Sequence, residues 1–242
     1  MARPVKVKAL LKNIIPHGFN VFTLVFSVPR RYTRFSPGQF AHLTLDKFDP
    51  TMGYWPDSRV FSIASEPNKD ELTFVYSIKG EYTKRMEREL REGNEFWLKL
   101  PYGDFTIEQN TDLHSPIILV AGGTGISPFI PYLLNKNKRN SERVVKLFYG
   151  FRKQELFIFE KELEEACTIM PNLELNYFCE ESILGRSVQI GVLNMEDIYG
   201  KTKGLNNPIY FLSGPLEMIV NFKKTLLKKS VSKEYIRIDA WE

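Results

Sequence analysis

The sequence predicts a chain of two domains, a β domain over residues 1–110 and an α/β domain over residues 111–242. Six short β-branched or aromatic runs before residue 110 are separated by turn formers, which is the pattern of an antiparallel barrel or sandwich. After Asn110-Thr111-Asp112, apolar runs alternate with helix-like stretches, the pattern of a parallel sheet with crossover connections. The length of 242 residues admits one large domain or two modest ones, at roughly 100–200 residues each.

The β elements follow in order. Val5 to Ile15 and Val21 to Val28 flank the turn former Pro16-His17-Gly18. Gln39 to Leu45 follows Ser36-Pro37-Gly38, and Arg59 to Ala64 follows Pro56-Asp57-Ser58. Leu72 to Ile78 comes after Pro67-Asn68-Lys69-Asp70, and Glu95 to Leu100 ends at Pro101-Tyr102-Gly103-Asp104. Thr83 to Arg91 has helix-forming composition, with Gly93 as its C′ glycine. In the second half, Pro116 to Ala121 is continuously apolar, as for a strand covered on both faces. Ile126 to Asn135 and Leu156 to Ala166 have helical spacing, and Leu216 to Lys228 is a further helix. Val144 to Tyr149, Leu173 to Phe178, Ile209 to Leu212 and Tyr235 to Asp239 complete five strands.

Composition excludes several classes of function. Hydrophobic residues make up 43% and charged residues 26%, values of a folded globular protein. No run approaches the roughly 18 apolar residues of a membrane span, and the start M-A-R-P-V-K-V-K lacks the apolar core of a secretory signal. Cys167 and Cys179 cannot build a disulfide framework or supply four thiolates to an iron–sulfur cluster, and reduced thiols suit a cytoplasmic chain. Residues 1–110 carry 16 Lys/Arg against 13 Asp/Glu, and the remainder 17 against 16, so neither half has the charge of a nucleic-acid binder. His17, His42 and His114 have no carboxylate or cysteine at ligand spacing, which argues against a metal.

Four short motifs carry chemistry. Gly122-Gly123-Thr124-Gly125-Ile126 follows a buried strand, where glycines admit a phosphate and a following helix offers free N–H groups. The same glycines also suit a tight turn without a ligand. Ser213-Gly214-Pro215 closes another strand, with Ser213 as N-cap and Pro215 at the first helical position. Arg59-Val60-Phe61-Ser62 alternates along a strand, so Arg59 and Phe61 share a face: one can grip phosphate, the other can stack on a ring. Gly80-Glu81-Tyr82-Thr83 opens a helix, a second potential phosphate site.

In this order and context the motifs resemble the ferredoxin–NADP reductase superfamily of flavin oxidoreductases. Ser36-Pro37-Gly38-Gln39-Phe40 is similar to that family's P-G-Q-aromatic turn, and Tyr149-Gly150-Phe151-Arg152 to its Y-G-x-R. The likeness covers nearly the whole chain. It implies a six-stranded antiparallel Greek-key β-barrel for flavin, then a five-stranded parallel Rossmann-like domain for the nicotinamide nucleotide. It implies FAD rather than FMN, with NADH or NADPH as co-substrate. It also implies that Arg59 holds flavin phosphates, Phe61 lies against the isoalloxazine where Tyr is usual, and Ser62 sits near flavin N5. Val60, Tyr76 and Ile78 would adjoin the flavin, and Gly80 and Thr83 would contact its phosphates. Gly123, Thr124 and Gly125 would cradle the pyrophosphate, and Gly214 and Pro215 would flank the nicotinamide path.

The end of the chain, Ile236-Arg237-Ile238-Asp239-Ala240-Trp241-Glu242, resembles tails in which a carboxylate, one residue and an aromatic follow the last strand. By that likeness Asp239 stands near the flavin and Trp241 covers its face. Asp replaces the usual Glu, Glu242 extends the tail by one residue, and Ser213 stands where many relatives carry Cys. Glu180 and Glu181 occupy the place where NADP-dependent relatives hold the 2′-phosphate, which favours NADH. Arg152 and Arg186 remain alternative phosphate partners.

The expected activity is hydride transfer from NAD(P)H to FAD N5, with electrons passed to a separate carrier such as ferredoxin or flavodoxin. This expectation treats the chain as a stand-alone, two-domain member without an iron–sulfur domain. Lys223, Lys224, Lys228, Lys229 and Lys233 would dock an acidic partner, or form a solvated helix face. The rival readings are a free-flavin reductase, an electron-transfer subunit of a larger complex, and a nucleotide-binding interaction module without turnover. Tight co-purification of yellow cofactor speaks against the first, and loss of activity on replacing Ser62 against the last.

Overall fold

The computed structural model describes residues 3–136, 142–181 and 188–239. The chain divides into two compact units, Met1–Thr106 and Ile107–Glu242. The sequence reading puts this boundary at residue 110. Thr111 Oγ1 donates to the Ile107 carbonyl at 2.8 Å, holding residues 107–111 as one local turn of the second unit.

The first unit contains β1 (Val5–Pro16), β2 (Val21–Ser27), β3 (Phe40–Thr44), β4 (Arg59–Ser62), β5 (Glu71–Ser77), α1 (Glu81–Glu89) and β6 (Glu95–Tyr102). Its six strands form one antiparallel sheet in the order β4-β3-β6-β1-β2-β5. The outermost strands curl towards each other. Just past β4, the Ala64 N–H donates to the Thr73 carbonyl at 2.8 Å, and the Thr73 N–H donates to Ser65 Oγ at 3.1 Å. The sheet is thereby drawn into a near-barrel, which removes most of the unpaired edge. Val7, Ala9 and Leu11 of β1, Leu24 and Phe26 of β2 and Leu98 and Leu100 of β6 alternate into one core. Tyr82, Met86 and Leu90, four residues apart, lay α1 on that core. At the P-G-Q turn Gly38 has φ +98°, and a Cβ there would lie 2.0 Å from the Phe105 carbonyl oxygen, so only glycine fits.

Two local expectations are corrected here. The helix begins at Glu81 rather than Thr83, because the Lys84 N–H already reaches the Gly80 carbonyl. Gly93 is not its C′ residue. The helix stops at Leu90, in extended conformation, and Gly93 (φ +84°) turns the chain into β6, with its N–H on the Leu11 carbonyl.

The second unit contains β7 (Ile117–Gly122), α2 (Ile130–Leu133), β8 (Val145–Phe151), α3 (Glu160–Ile169), β9 (Leu173–Cys179), β10 (Gln189–Ile190), α4 (Met195–Thr202), β11 (Ile209–Ser213), α5 (Leu216–Lys228) and β12 (Ile236–Ile238). Its sheet is wholly parallel, in the order β10-β9-β8-β7-β11-β12. It has six strands, not the expected five. The extra one, β10, is two exposed residues long and has no apolar run to announce it. Helix α4 also escapes the hydrophobic pattern; it is started by Asn194, whose side chain accepts from the Glu196 N–H at 2.9 Å. All six residues of β7 are buried, as its continuous apolar run requires.

The stretch read as a helix over Ile126 to Asn135 is a 3₁₀ segment, Gly123–Phe129, followed by the four-residue α2. Pro131 lacks the N–H donor that a continuous α-helix over Ile126 to Asn135 needs at that position. The Leu156 to Ala166 stretch is similarly broken. Phe159 takes φ +62°, and α3 starts only at Glu160. None of the described helices is long and apolar enough to cross a membrane.

Candidate functional site

In the first unit the candidate residues gather around β4 and the start of α1. Arg59 is exposed, with its guanidinium 4.5 Å from the centre of the Tyr82 ring. Its Nη1 donates to Asp57 Oδ1 at 2.8 Å and to the Ser58 carbonyl at 2.9 Å. The Tyr82 hydroxyl donates to the Leu43 carbonyl at 2.9 Å and accepts from the Leu45 N–H at 3.2 Å. Burial pushes that hydroxyl up to about 12, so it is a neutral donor. Tyr82 is the residue that sequence reasoning missed. It lies inside the G-E-Y-T stretch, yet its role as the platform under Arg59 depends on a contact between β4 and α1.

Phe61 pairs across the sheet with Ala41, and Arg59 with Leu43, so the two share a face as expected. Phe61 is half-buried, with ring centres 6.5 Å from Phe74 and 6.3 Å from Tyr76. Val60 and Ser62 lie on the other face, paired with His42 and Phe40. Tyr76 is only 3% exposed and stacks on Phe22 at 5.3 Å, so it supports Phe61 from the core rather than offering an open surface. Ile78 is half-buried against the same core, and its N–H donates to the Asn20 carbonyl at 2.9 Å.

Gly80 is extended, with open space where a Cβ would point. Thr83 Oγ1 accepts from the N–H groups of Lys79 (2.9 Å) and Gly80 (3.1 Å) and donates to the Gly80 carbonyl (2.9 Å). The hydroxyl therefore clasps the loop, and its single proton is used internally. What this nine-residue helix presents outward is its first-turn N–H groups at Glu81, Tyr82 and Thr83, beside the guanidinium. A cationic fork, helix N–H groups and clear space above a glycine together fit a phosphate-bearing cofactor.

In the second unit the chain runs from β7 outward to β10 and then returns to the other side of β7 as β11. The carboxyl ends of β7 and β11 thus form the switch point where parallel sheets bind ligands. Their two turns interlock. A Cβ on Gly125 would lie 2.4 Å from the Ser213 carbonyl oxygen, one on Gly122 would lie 2.7 Å from Met218 Sδ, and one on Gly214 (φ +147°) would lie 3.0 Å from Gly122 Cα. Gly123 differs, because it has φ +54° and open space beside it. Gly122, Gly125 and Gly214 therefore serve close packing, while Gly123 and half-buried Thr124 line the open edge. The seven-residue segment that follows is a 3₁₀ helix with Pro128 inside it, not the expected α-helix.

Ser213 is not a helix cap. It ends β11, 2% exposed, and its Oγ donates to Asp239 Oδ2 at 2.9 Å; Asp239 is 4% exposed. The N-cap of α5 is Pro215, which is exposed and receives the Ile219 N–H at 3.1 Å. At the ends of β8 and β9, exposed Arg152 lies 3.8 Å from Glu180, and Lys153 pairs with Glu181. Gly150 is demanded by Leu193, whose Cγ would lie 2.5 Å from a Cβ there. Arg186, Ala240, Trp241 and Glu242 lie outside the described residues. Among the described residues no group of three His, Cys, Asp or Glu side chains is arranged to hold a metal.

Comparison with known proteins matches residues 6–147 to an FAD-binding domain family and residues 119–224 to an oxidoreductase NAD-binding domain family. The chain is 25% identical over 221 residues to a flavohemoprotein of Rhizobium meliloti, covering 86% of this chain and 53% of that protein. It is 29% identical over 134 residues to the reductase component of propane 2-monooxygenase from Mycolicibacterium smegmatis, covering 54% of this chain and 36% of that protein. The chain thus spans about half of the first relative and about a third of the second. The solved Amycolatopsis cytochrome P450 reductase superposes with a TM-score of 0.81 at 18% identity, over 98% of this chain and 69% of that one, a likeness of fold. The FAD-binding match spans more than half of the sequence and the NAD-binding match overlaps its end and extends to residue 224, so the chain belongs to the ferredoxin–NADP reductase-like superfamily of FAD- and NAD-binding oxidoreductases.

Proposed function

We propose that this chain takes hydride from NADH onto FAD and passes the electrons to a separate carrier protein such as a ferredoxin or flavodoxin. The observation that carries the reading is the presence, on one chain, of an FAD-binding match and a parallel-sheet switch point edged by Gly123 and Thr124. Bound FAD supplies a two-electron acceptor that can release its electrons singly. The chain's own residues bind and orient. Arg59, steadied by the Tyr82 ring, and the first-turn N–H groups of α1 would hold the flavin's phosphates. Phe61 would present a ring face, braced from behind by Phe74 and Tyr76, and Ser62 would place a hydroxyl at the end of β4. Gly123 and Thr124 would admit the pyrophosphate of the nicotinamide nucleotide, with Pro215 beside the nicotinamide path.

Support for NADH comes from Glu180 and Glu181 at the end of β9. Their carboxylates suit a ribose diol, and they lie beside Arg152 and Lys153 as ion-pair partners. Support for a carrier protein comes from α5, where Leu216, Val220 and Leu227 are exposed beside Lys223, Lys224 and Lys228 along a groove of about 680 Å³. Lys229 is drawn away to Glu196 at 2.6 Å. Small, charge-steered contacts of this kind suit transient redox encounters.

The test is the visible spectrum of the purified protein, followed by anaerobic mixing with NADH and, separately, with NADPH. A flavin spectrum bleached faster by NADH is expected. Protein that takes up neither FAD nor FMN and oxidises neither nucleotide would overturn the reading.

A further inference from the structure

The guanidinium of Arg59 is partly engaged by the chain itself. Asp57 stands two residues ahead of it, and Asp57 Oδ1 accepts from Arg59 Nη1 at 2.8 Å. The second Nη1 proton goes to the Ser58 carbonyl at 2.9 Å, while Nε and Nη2 have no hydrogen-bond partner among the described residues. A guanidinium grips phosphate by two parallel bonds, through Nη1 with Nη2 or through Nε with Nη2. The carboxylate therefore closes the first grip and leaves the second. The segment that carries it is pinned: Thr44 Oγ1 donates to the Asp57 carbonyl at 2.8 Å, and Trp55 Nε1 donates to Ser58 Oγ at 3.1 Å. The Tyr82 ring holds the guanidinium at 4.5 Å. Both charged side chains are at least half exposed, so the pair contributes little to folding, and stability gives no reason for a carboxylate at this place.

We propose that Asp57 is an internal competitor for Arg59, which limits how firmly the site holds the phosphates of a flavin. The inference rests on reading Arg59 as a phosphate ligand of the flavin. Asp57 acts in two ways, both of one sign. Its carboxylate occupies a donor that an incoming phosphate can use, and that bond must break or be shared. Its negative charge, kept close by the pinned backbone, also repels a bound phosphate and offsets the guanidinium charge. The first-turn N–H groups of α1 then supply attraction that Asp57 does not compete for. FAD carries two phosphate charges, FMN carries a phosphomonoester of about −1.5 to −2 at neutral pH, and riboflavin carries none. The effect therefore falls on the first two and spares the third. A flavin held in this way exchanges with free flavin faster than one gripped by an unopposed arginine.

The experiment titrates the full-length protein, stripped of flavin, with FAD, FMN and riboflavin, following the quenching of flavin fluorescence. Asp57→Asn keeps an acceptor oxygen for Arg59 Nη1 and removes the charge. At low salt we expect it to tighten FAD and FMN about five-fold, with the gain shrinking at high salt, and to change riboflavin by less than about 1.5-fold. Asp57→Ala, which also frees Nη1, should tighten both phosphate-bearing flavins at least as much. Weaker binding of FAD or FMN by either variant makes Asp57 a support for Arg59 and overturns the inference. Unchanged affinity, or riboflavin tightened equally, overturns it too. Arg59→Ala with undiminished FAD affinity overturns the reading of Arg59 on which the inference rests, and wild-type protein that binds no flavin overturns the proposed function as well.

Discussion

Gly125 and Ser213 are in backbone contact: a Cβ on Gly125 would lie 2.4 Å from the Ser213 carbonyl oxygen and 2.5 Å from the Gly214 nitrogen. The two glycine-bearing turns are therefore one packed object, and glycines that look equivalent in sequence have different tasks. Gly125→Ala should destabilise the protein by about 1–3 kcal/mol through overpacking, read as a lower denaturant midpoint. Gly123→Ala meets no protein atom but strains a left-handed backbone. Its loss in nucleotide affinity, measured by titration, should exceed the loss for a Gly204→Ala control, where a Cβ also has open space.

Arg59 and Tyr82 form one support. Arg59→Ala should release flavin on gel filtration while leaving circular dichroism unchanged, because the guanidinium is exposed and only caps the outer face of a Tyr82 ring that the core and the hydroxyl bonds already hold. Tyr82→Phe keeps the ring but removes the hydroxyl bonds to Leu43 and Leu45, each worth about 0.5–1.5 kcal/mol. It should lower the stability of the first unit more than its flavin retention.

Histidine burial gives the stability of the first unit a pH dependence. His17 and His42 are both held below their ordinary value by burial, with the Lys99 charge adding to the effect at His42. The unfolded chain then binds more protons than the native one, so stability rises with pH. It should be fully present above the ordinary histidine range and fall as the pH drops from about 7 towards 5. Denaturant midpoints across that window, compared with His42→Gln, check the sign; a midpoint that rose on acidification would refute it.

The lysines of α5 should act on protein acceptors alone. Reversing Lys223, Lys224 and Lys228 to Glu is expected to slow reduction of an acidic ferredoxin by more than about ten-fold at low salt, with the gap closing at high salt. Ferricyanide reduction serves as the control and should stay within about two-fold of wild type.

Residue types and their order determined much by themselves. The apolar run Pro116 to Ala121 reads as a strand covered on both faces and forms one, and α5 spans Leu216–Lys228 as its spacing suggests. The alternation of Arg59 and Phe61 placed both on one face because the strand period is two. Tertiary structure decided what local pattern cannot carry. Pairing along a sheet depends on chain crossovers, and these alone put β11 beside β7, so that Gly125 touches Ser213. The same neighbourhood turned Ser213 from an expected helix cap into the donor to Asp239, 26 residues away along the chain. The two-residue β10 and the platform under Arg59 were hidden for the same reason. Each exists through contact with a distant segment, and a side chain records its own preferences, not the partner that folding brings to it.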